Sequence, residues 1–349
     1  MRKKSSYLIK SIFMILFISL FCQMLMAQQR HALLKSIFQE LKNNSIYKNK
    51  INWSNMDQYL NTDLDQKRNP TDFLLSAVQK VLTELGDKHA FFQYNDTVIR
   101  GKFTESKRAI DSSIYQYALE ESYAFRTAVI DDQYGYIAMP SARVENDFFS
   151  DKSKMTQRIK QMAQQLQDSL CSLSEPRFGG LIIDLRLNRG GTLWIHLGAL
   201  TPLLKDGTLF TMQYADGSNT KFSRLGNTIY QDRDTMVTTS AHCDFDNKKV
   251  VVLVGALTGS AGEQTALALK SNLHTMVIGE ETAGYLSMNE TKVFEENAIL
   301  SCSKGILKDN QAKSYPHSLY PDLRVIGGDN FKNLANDAKI KAAITQLKK

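Results

Sequence analysis

Two spacings of apolar residues divide this chain. Leu33, Leu34, Ile37, Phe38 and Leu41 recur at helical intervals, and so do Leu74, Ala77, Val78, Val81, Leu82 and Leu85. A period near 3.6 residues predicts one buried stripe on each of two helices. The second starts with Pro70 and Asp72 in its first turn and is stopped by Gly86. Further on, Met155, Ile159, Met162, Leu166 and Leu170 predict a core-facing helix. Phe331, Leu334, Ile340, Ile344 and Leu347 predict an amphipathic helix near the C-terminus. Between these lie runs of another kind. Leu181-Ile182-Ile183 and Val250-Val251-Val252-Leu253-Val254 are continuous and β-branched, as strands covered on both faces require. Residues 208–214 alternate like a strand, 292–307 suggest two more, and 113–127 suggest a connecting helix or hairpin. The polar stretch 217–242 predicts an irregular loop or hairpin. Strands alternating with helices indicate an α/β architecture. The boundaries that follow are a helical domain over 28–98, a connecting segment over 99–132 and a core over 133–349.

Each buried run ends in a turn made of small and polar residues. After Val254 comes Thr258-Gly259-Ser260-Ala261-Gly262-Glu263, leading into an alanine-rich helix. Taken alone, Ser260 followed three places later by Glu263 is a capping box, which stabilises a helix start by about 1 kcal/mol. Ser260 can equally be a nucleophile, because a helix beginning beside it aims free N–H groups and the positive end of its dipole at one spot. The second turn shifts the balance toward chemistry. Asp184-Leu185-Arg186-Leu187-Asn188-Arg189-Gly190-Gly191 follows the other buried run, and a helix is predicted over 193–204. Paired glycines after a strand expose backbone N–H groups, as an oxyanion hole needs.

The chain opens with Arg2, Lys3, Lys4 and Lys10, an apolar run over 11–26 and then Ala27. Basic, apolar and small-residue regions in that order predict a signal peptide over 1–27, cleaved after Ala27. An uncleaved anchor helix is the alternative, and it is the only membrane contact expected. The formal charge of +7 overstates the basicity, since four cations and no carboxylate leave with those 27 residues. The remaining basic residues are scattered without an aromatic-interleaved stripe, so no nucleic-acid partner is expected. Cys171, Cys243 and Cys302 follow the signal, enough for one disulfide and one free thiol, with the pairing open. His31, His196, His242, His274 and His317 show no metal-binding spacing, so no metal and no cofactor are expected.

The two turns together resemble the core of the C-terminal processing (tail-specific) serine protease family, which includes the tricorn-type proteases. The family's Asp-Leu-Arg-x-Asn-x-Gly-Gly turn is matched by Asp184 to Gly191, and its Ser-x-x-Glu by Ser260 and Glu263. Its Gly-Glu-x-Thr-x-Gly turn resembles Gly279-Glu280-Glu281-Thr282-Ala283-Gly284, and its closing Pro-Asp resembles Pro321-Asp322. Tyr134-Gly135-Tyr136-Ile137 resembles the strand that opens the core. The resemblance implies a crotonase-like ββα superhelix and a serine endopeptidase acting on peptides or unfolded proteins, periplasmic or extracellular.

One catalytic arrangement in that family uses a Lys about twenty-five residues after the Ser; here Tyr285 holds that place. The other uses a His from a Leu-Gly-Asp-x-His segment, matched by Leu85-Gly86-Asp87-Lys88-His89. The resemblance therefore makes His89 the general base for Ser260, with the N–H groups of Gly190 or Gly191 and Ala261 holding the oxyanion. The acid that precedes the family's Pro-Asp segment is missing from 312–320. Glu280, Glu281 or Tyr315 is the candidate third group, and Lys292 a remote substitute base. The stretch 90–133 is too short for a PDZ domain of roughly 80 to 100 residues, so none is expected. Two other classes stay open: a catalytically degraded member that binds peptides or apolar ligands, and a crotonase-like thioester enzyme, which a secretion signal disfavours.

Overall fold

The computed structural model describes residues 2–62, 69–103, 110–145, 151–174, 178–240, 243–246, 248–295 and 297–349. The chain divides into two compact units, one made of Met1–Glu105 with Asn289–Lys304, the other of Ser106–Met288 with Gly305–Lys349. Of the connecting segment, residues 104–109 lie outside the described residues, as does His242.

In the first unit the helical stripes form as their spacing predicts. Helix Arg2–Asn44 runs unbroken through the expected cleavage point after Ala27, and helix Pro70–Leu85 packs against it. Asn69 caps the latter by accepting from the Thr71 N–H, and Gly86 ends it in the left-handed conformation. Leu34, Ile37, Leu41, Leu74, Val78 and Leu82 form the shared core. Each such side chain contributes roughly 1.5–3 kcal/mol on burial. Among the described residues no helix is long and apolar enough to cross a membrane. A short helix, Trp53–Thr62, and a hairpin of strands Phe91–Tyr94 and Thr97–Ile99 add to the helical block. Phe91 to Tyr94 pair antiparallel with Ser301 to Ala298 of strand Ala298–Lys308, whose later part belongs to the other unit.

The second unit is built on a six-stranded sheet. Its order is Leu323–Arg324, Met276–Gly279, Lys249–Val254, Gly180–Asp184, Tyr134–Ala138 and Arg126–Ile130, with only the last strand antiparallel to its neighbour. Helices cover both faces, which explains the continuous apolar runs. Leu181, Ile183, Val252 and Val254 face a core with helices Lys152–Cys171, Leu193–Ala199 and Ala261–Leu273, while Ile182, Val251 and Leu253 face helix Ala338–Leu347. Strand Gly207–Tyr214 belongs to a second, antiparallel sheet, in which it pairs with strand Asn219–Leu225 and with the later part of Ala298–Lys308.

Two expectations need correction and one narrows. The stretch 217–242 takes the hairpin form rather than an irregular loop: it contains strands Asn219–Leu225, Thr228–Gln231 and Asp234–Thr238, each antiparallel to the next. Among the described residues Thr220, Phe222, Ile229, Val237 and Thr239 are its buried positions, and a register shift in the pairing of the last two strands breaks the alternation that would have marked it. The C-terminal helix starts at Ala338 rather than near Phe331, because the Asp337 carboxylate accepts from Lys339 and Ile340 and caps it there. The helix expected over 193–204 ends at Ala199. The cysteines resolve as a Cys171–Cys243 disulfide and a buried free Cys302.

Candidate active site

Strands Gly180–Asp184 and Lys249–Val254 are adjacent and parallel, so the turns that follow them emerge side by side. The Thr258 hydroxyl staples them together. It donates to the Leu185 carbonyl and accepts from the Gly255 N–H, both at 2.9 Å. Two residues later Ser260 adopts φ 52° and ψ −119°, left-handed backbone that a side chain takes up only at a cost. That kink lifts a half-buried Ser260 at the start of helix Ala261–Leu273, where the orphan N–H groups lie. The Ser260 N–H donates to Glu263 Oε2 at 2.9 Å, half of the capping box read from the sequence.

Asn188 joins this turn to the glycine turn. Its backbone carbonyl accepts the Gly259 N–H at 2.9 Å, and its Oδ1 accepts the Gly190 N–H at 2.9 Å. The packing leaves no space for side chains: a Cβ on Gly190 would lie 2.7 Å from Ser260 Cβ, and one on Gly262 2.6 Å from the Asn188 carbonyl oxygen. Asn188 Nδ2 donates to the Pro140 carbonyl at 3.0 Å. His196 Nε2 reaches the same carbonyl at 2.8 Å, and burial lowers its pKa, so it is a neutral core histidine that donates through Nε2. Among the described residues, no acceptor takes the N–H of Gly191 or Ala261.

The strand end before this turn is pinned from below. The buried Arg186 guanidinium pairs with Asp184 at 2.7 Å, with Asp329 at 2.7 Å and with Asp337 at 2.7 Å, and Phe331 stacks over it at 4.6 Å. Burial alone would favour its neutral form, but Asp184 and Asp337 hold its pKa well above the usual value. The Tyr136 hydroxyl donates to Asp184 at 2.8 Å.

Glu263 is fully buried and takes four donors. Ser260 N–H and Tyr285 N–H donate to Oε2, and the Thr282 hydroxyl and Gly284 N–H to Oε1. Burial pushes its pKa up to about 7, against the pull of all four hydrogen bonds.

In the first unit, His89 is half-buried just past helix Pro70–Leu85, and its backbone is held on both sides. Its N–H donates to Asp87 Oδ1 at 3.1 Å, and its carbonyl accepts from Asn289 Nδ2 at 2.9 Å. Asp87 also accepts from Ala90 N–H and from the N–H and hydroxyl of Ser303. Desolvation raises the Asp87 pKa despite these donors.

Residues 133–325 match peptidase family S41. The chain belongs to that family. Membership makes it a serine-type peptidase, and its α/β core with a helical N-terminal region is the fold of S41 proteases. The nisin-resistance protein of Lactococcus lactis subsp. lactis is 28% identical over 252 residues, 71% of this chain and 68% of that protein. A lipoprotein from Streptococcus agalactiae has a similar fold, with a TM-score of 0.66 at 19% identity over 91% of this chain and 96% of that one. The photosystem II D1 C-terminal processing protease gives 0.54 at 14% identity, over 88% of this chain and 96% of its own.

Within this S41 core, the structure brings Ser260, Ala261 and Gly190 together, while Gly191 packs against the backbone of Ala142. The candidate third groups are engaged elsewhere. Glu280 accepts from Gly327 N–H and from Lys339 Nζ, Glu281 accepts from the Ser318 hydroxyl, and the Tyr315 hydroxyl donates to Asp309. Lys292, the remote substitute base, pairs with Glu40 at 2.6 Å. Sequence reasoning missed the roles of Asn188 and Asp87, and placed Glu263 in a capping box and a family motif without showing that it gathers Thr282, Gly284 and Tyr285. A polar residue at a fixed place inside an otherwise small or apolar turn was the available signal.

Proposed function

We propose that this protein is an exported serine endopeptidase that hydrolyses peptides or unfolded proteins, with Ser260 as nucleophile and His89 as general base. The observation that carries the reading is the strained Ser260, raised at a helix start and packed directly on the Gly190 turn. His89 takes the Ser260 proton, Ser260 attacks the peptide carbonyl, and the proton passes to the leaving amine. Water then hydrolyses the acyl-enzyme by the reverse route. Support for His89 comes from its Leu-Gly-Asp-x-His motif and from the clamp on its backbone within its own unit.

Ala261 and Gly191 are the proposed oxyanion donors, because the Gly190 N–H is already given to Asn188. One such donor is worth roughly 3 kcal/mol in the transition state. Glu280, Glu281 and Tyr315 lose ground as third group, since each has another partner, and the Asp87 clamp takes over the positioning. Export is supported by the basic and apolar N-terminal segment and by a disulfide. The names of the lipoprotein and nisin-resistance relatives agree with that.

The test is cleavage of casein and of nisin by residues 28–349, comparing wild type, Ser260→Ala and His89→Ala with EDTA present. Cleavage that survives EDTA and is lost in both variants supports the reading. Loss in Ser260→Ala alone moves the base elsewhere. An inactive wild type favours the peptide-binding alternative.

A further inference from the structure

We propose that Tyr285 determines specificity: its ring forms one wall of the subsite beside Ser260 and selects peptides with an aromatic or large apolar residue next to the cleaved bond. The inference rests on the reading of Ser260 as the nucleophile.

Position is the first support. Tyr285 Cδ2 lies 3.4 Å from where a Cβ on Gly259 would stand, and Ala283 Cβ lies 3.5 Å from the same point. The ring therefore covers the residue immediately before Ser260. The carbonyl of Arg189, the residue before the glycine pair, lies 3.6 Å from the same point. The ring and the proposed oxyanion turn thus border the same peptide unit.

Fixation is the second. The Tyr285 N–H donates to Glu263 Oε2 at 2.8 Å, and the Ser260 N–H reaches that same oxygen at 2.9 Å. Two backbone nitrogens on one buried atom set the spacing between nucleophile and ring. Leu286, the next residue, is fully buried and anchors the segment from the other end.

Presentation is the third. With Leu286 inside, Tyr285 is 36% exposed, so its ring is both held and reachable. An aromatic face beside the reacting carbonyl removes apolar substrate surface from water and offers nothing to an acidic side chain.

The experiment uses unstructured labelled peptides that differ only in the residues flanking the cleaved bond, with Phe, Leu, Ala or Glu placed there one at a time. Cleavage is measured for wild type, Tyr285→Phe and Tyr285→Ala. Binding is measured by fluorescence anisotropy to Ser260→Ala and to Ser260→Ala with Tyr285→Ala. Tyr285→Phe should keep the wild-type preference. Tyr285→Ala should cut the Phe-over-Ala ratio about tenfold, through KM rather than kcat. A ratio unchanged in Tyr285→Ala, or a parallel loss for every peptide, overturns the proposal. If Ser260→Ala cleaves as well as wild type, the nucleophile reading fails, and the binding ratio still decides the role of Tyr285. Absence of any Phe-over-Ala preference in binding overturns it as well.

Discussion

The side-chain oxygen of Asn188 accepts the N–H of Gly190 at 2.9 Å, while the Asn188 backbone holds Gly259 on the nucleophile turn. One residue thereby sets both turns of the site. Asn188→Ala is expected to lower kcat by roughly 10- to 100-fold with KM nearly unchanged, because the glycine turn loses its register. Freeing the buried Gly190 N–H should also cost about 1–3 kcal/mol of stability. Steady-state kinetics beside a thermal melt separate the two effects; a kcat within twofold of wild type would show that the turn holds itself.

Glu263 makes stability and activity respond oppositely to pH. Its pKa is about 7 in the fold against an ordinary 4.5. Between those values the folded chain binds one more proton than the unfolded chain, so its contribution to stability falls as pH rises through this window and is level above it. The loss is at most on the order of 3 kcal/mol. The carboxylate that accepts all four donors forms over the same rise, so the ordered turn is favoured at higher pH. Glu263→Gln should flatten the fall in the denaturation midpoint between pH 4.5 and 7 and should lower kcat. Parallel pH curves for the two proteins would refute the assignment.

Asp87 has the same design in the other unit. Asp87→Asn turns an amide N–H₂ toward at least one backbone N–H, which can only donate, and is expected to destabilise the protein by about 1–3 kcal/mol. Ser303→Ala should cost less, because the Ser303 N–H remains on Asp87. Both should lower kcat if the clamp orients His89. Loss of stability with an unchanged kcat and pH profile would reduce the clamp to a structural role.

Reduction should weaken the second unit. Serine at Cys171 and Cys243 removes a cross-link between residues 72 apart and should cost about 2–4 kcal/mol. Cys302 should react with a thiol reagent only on unfolding, since burial hides it and raises its pKa to about 12. Rapid labelling of the native protein at Cys302 would contradict that.

The two buried strands were legible because both faces are covered, leaving unbroken apolar runs, and the turns because small residues cluster where backbones touch. Trp53–Thr62 was not legible, being a mostly polar helix with Met56 as its clearly buried apolar residue. Nor were the individual strands within 217–242, whose buried positions are sparse and whose last pairing carries a register shift. The Asp87 clamp was hidden because its partner Ser303 lies 216 residues away. Local spacing showed the Ser260–Glu263 contact, but not that Glu263 also gathers Thr282, Gly284 and Tyr285. The cysteine pairing likewise depends on where helix Lys152–Cys171 ends in space.

Arg186 precedes two of its carboxylate partners, Asp329 and Asp337, by 143 and 151 residues. During synthesis the strand, the glycine turn and the Ser260 turn all leave the ribosome before either partner exists. A guanidinium without them cannot be buried cheaply, so the ground beneath the glycine turn stays unsettled until helix Ala338–Leu347 docks. The glycine turn is therefore expected to reach its final geometry only after the stretch carrying Asp329 and Asp337 has been made and has folded back onto Arg186.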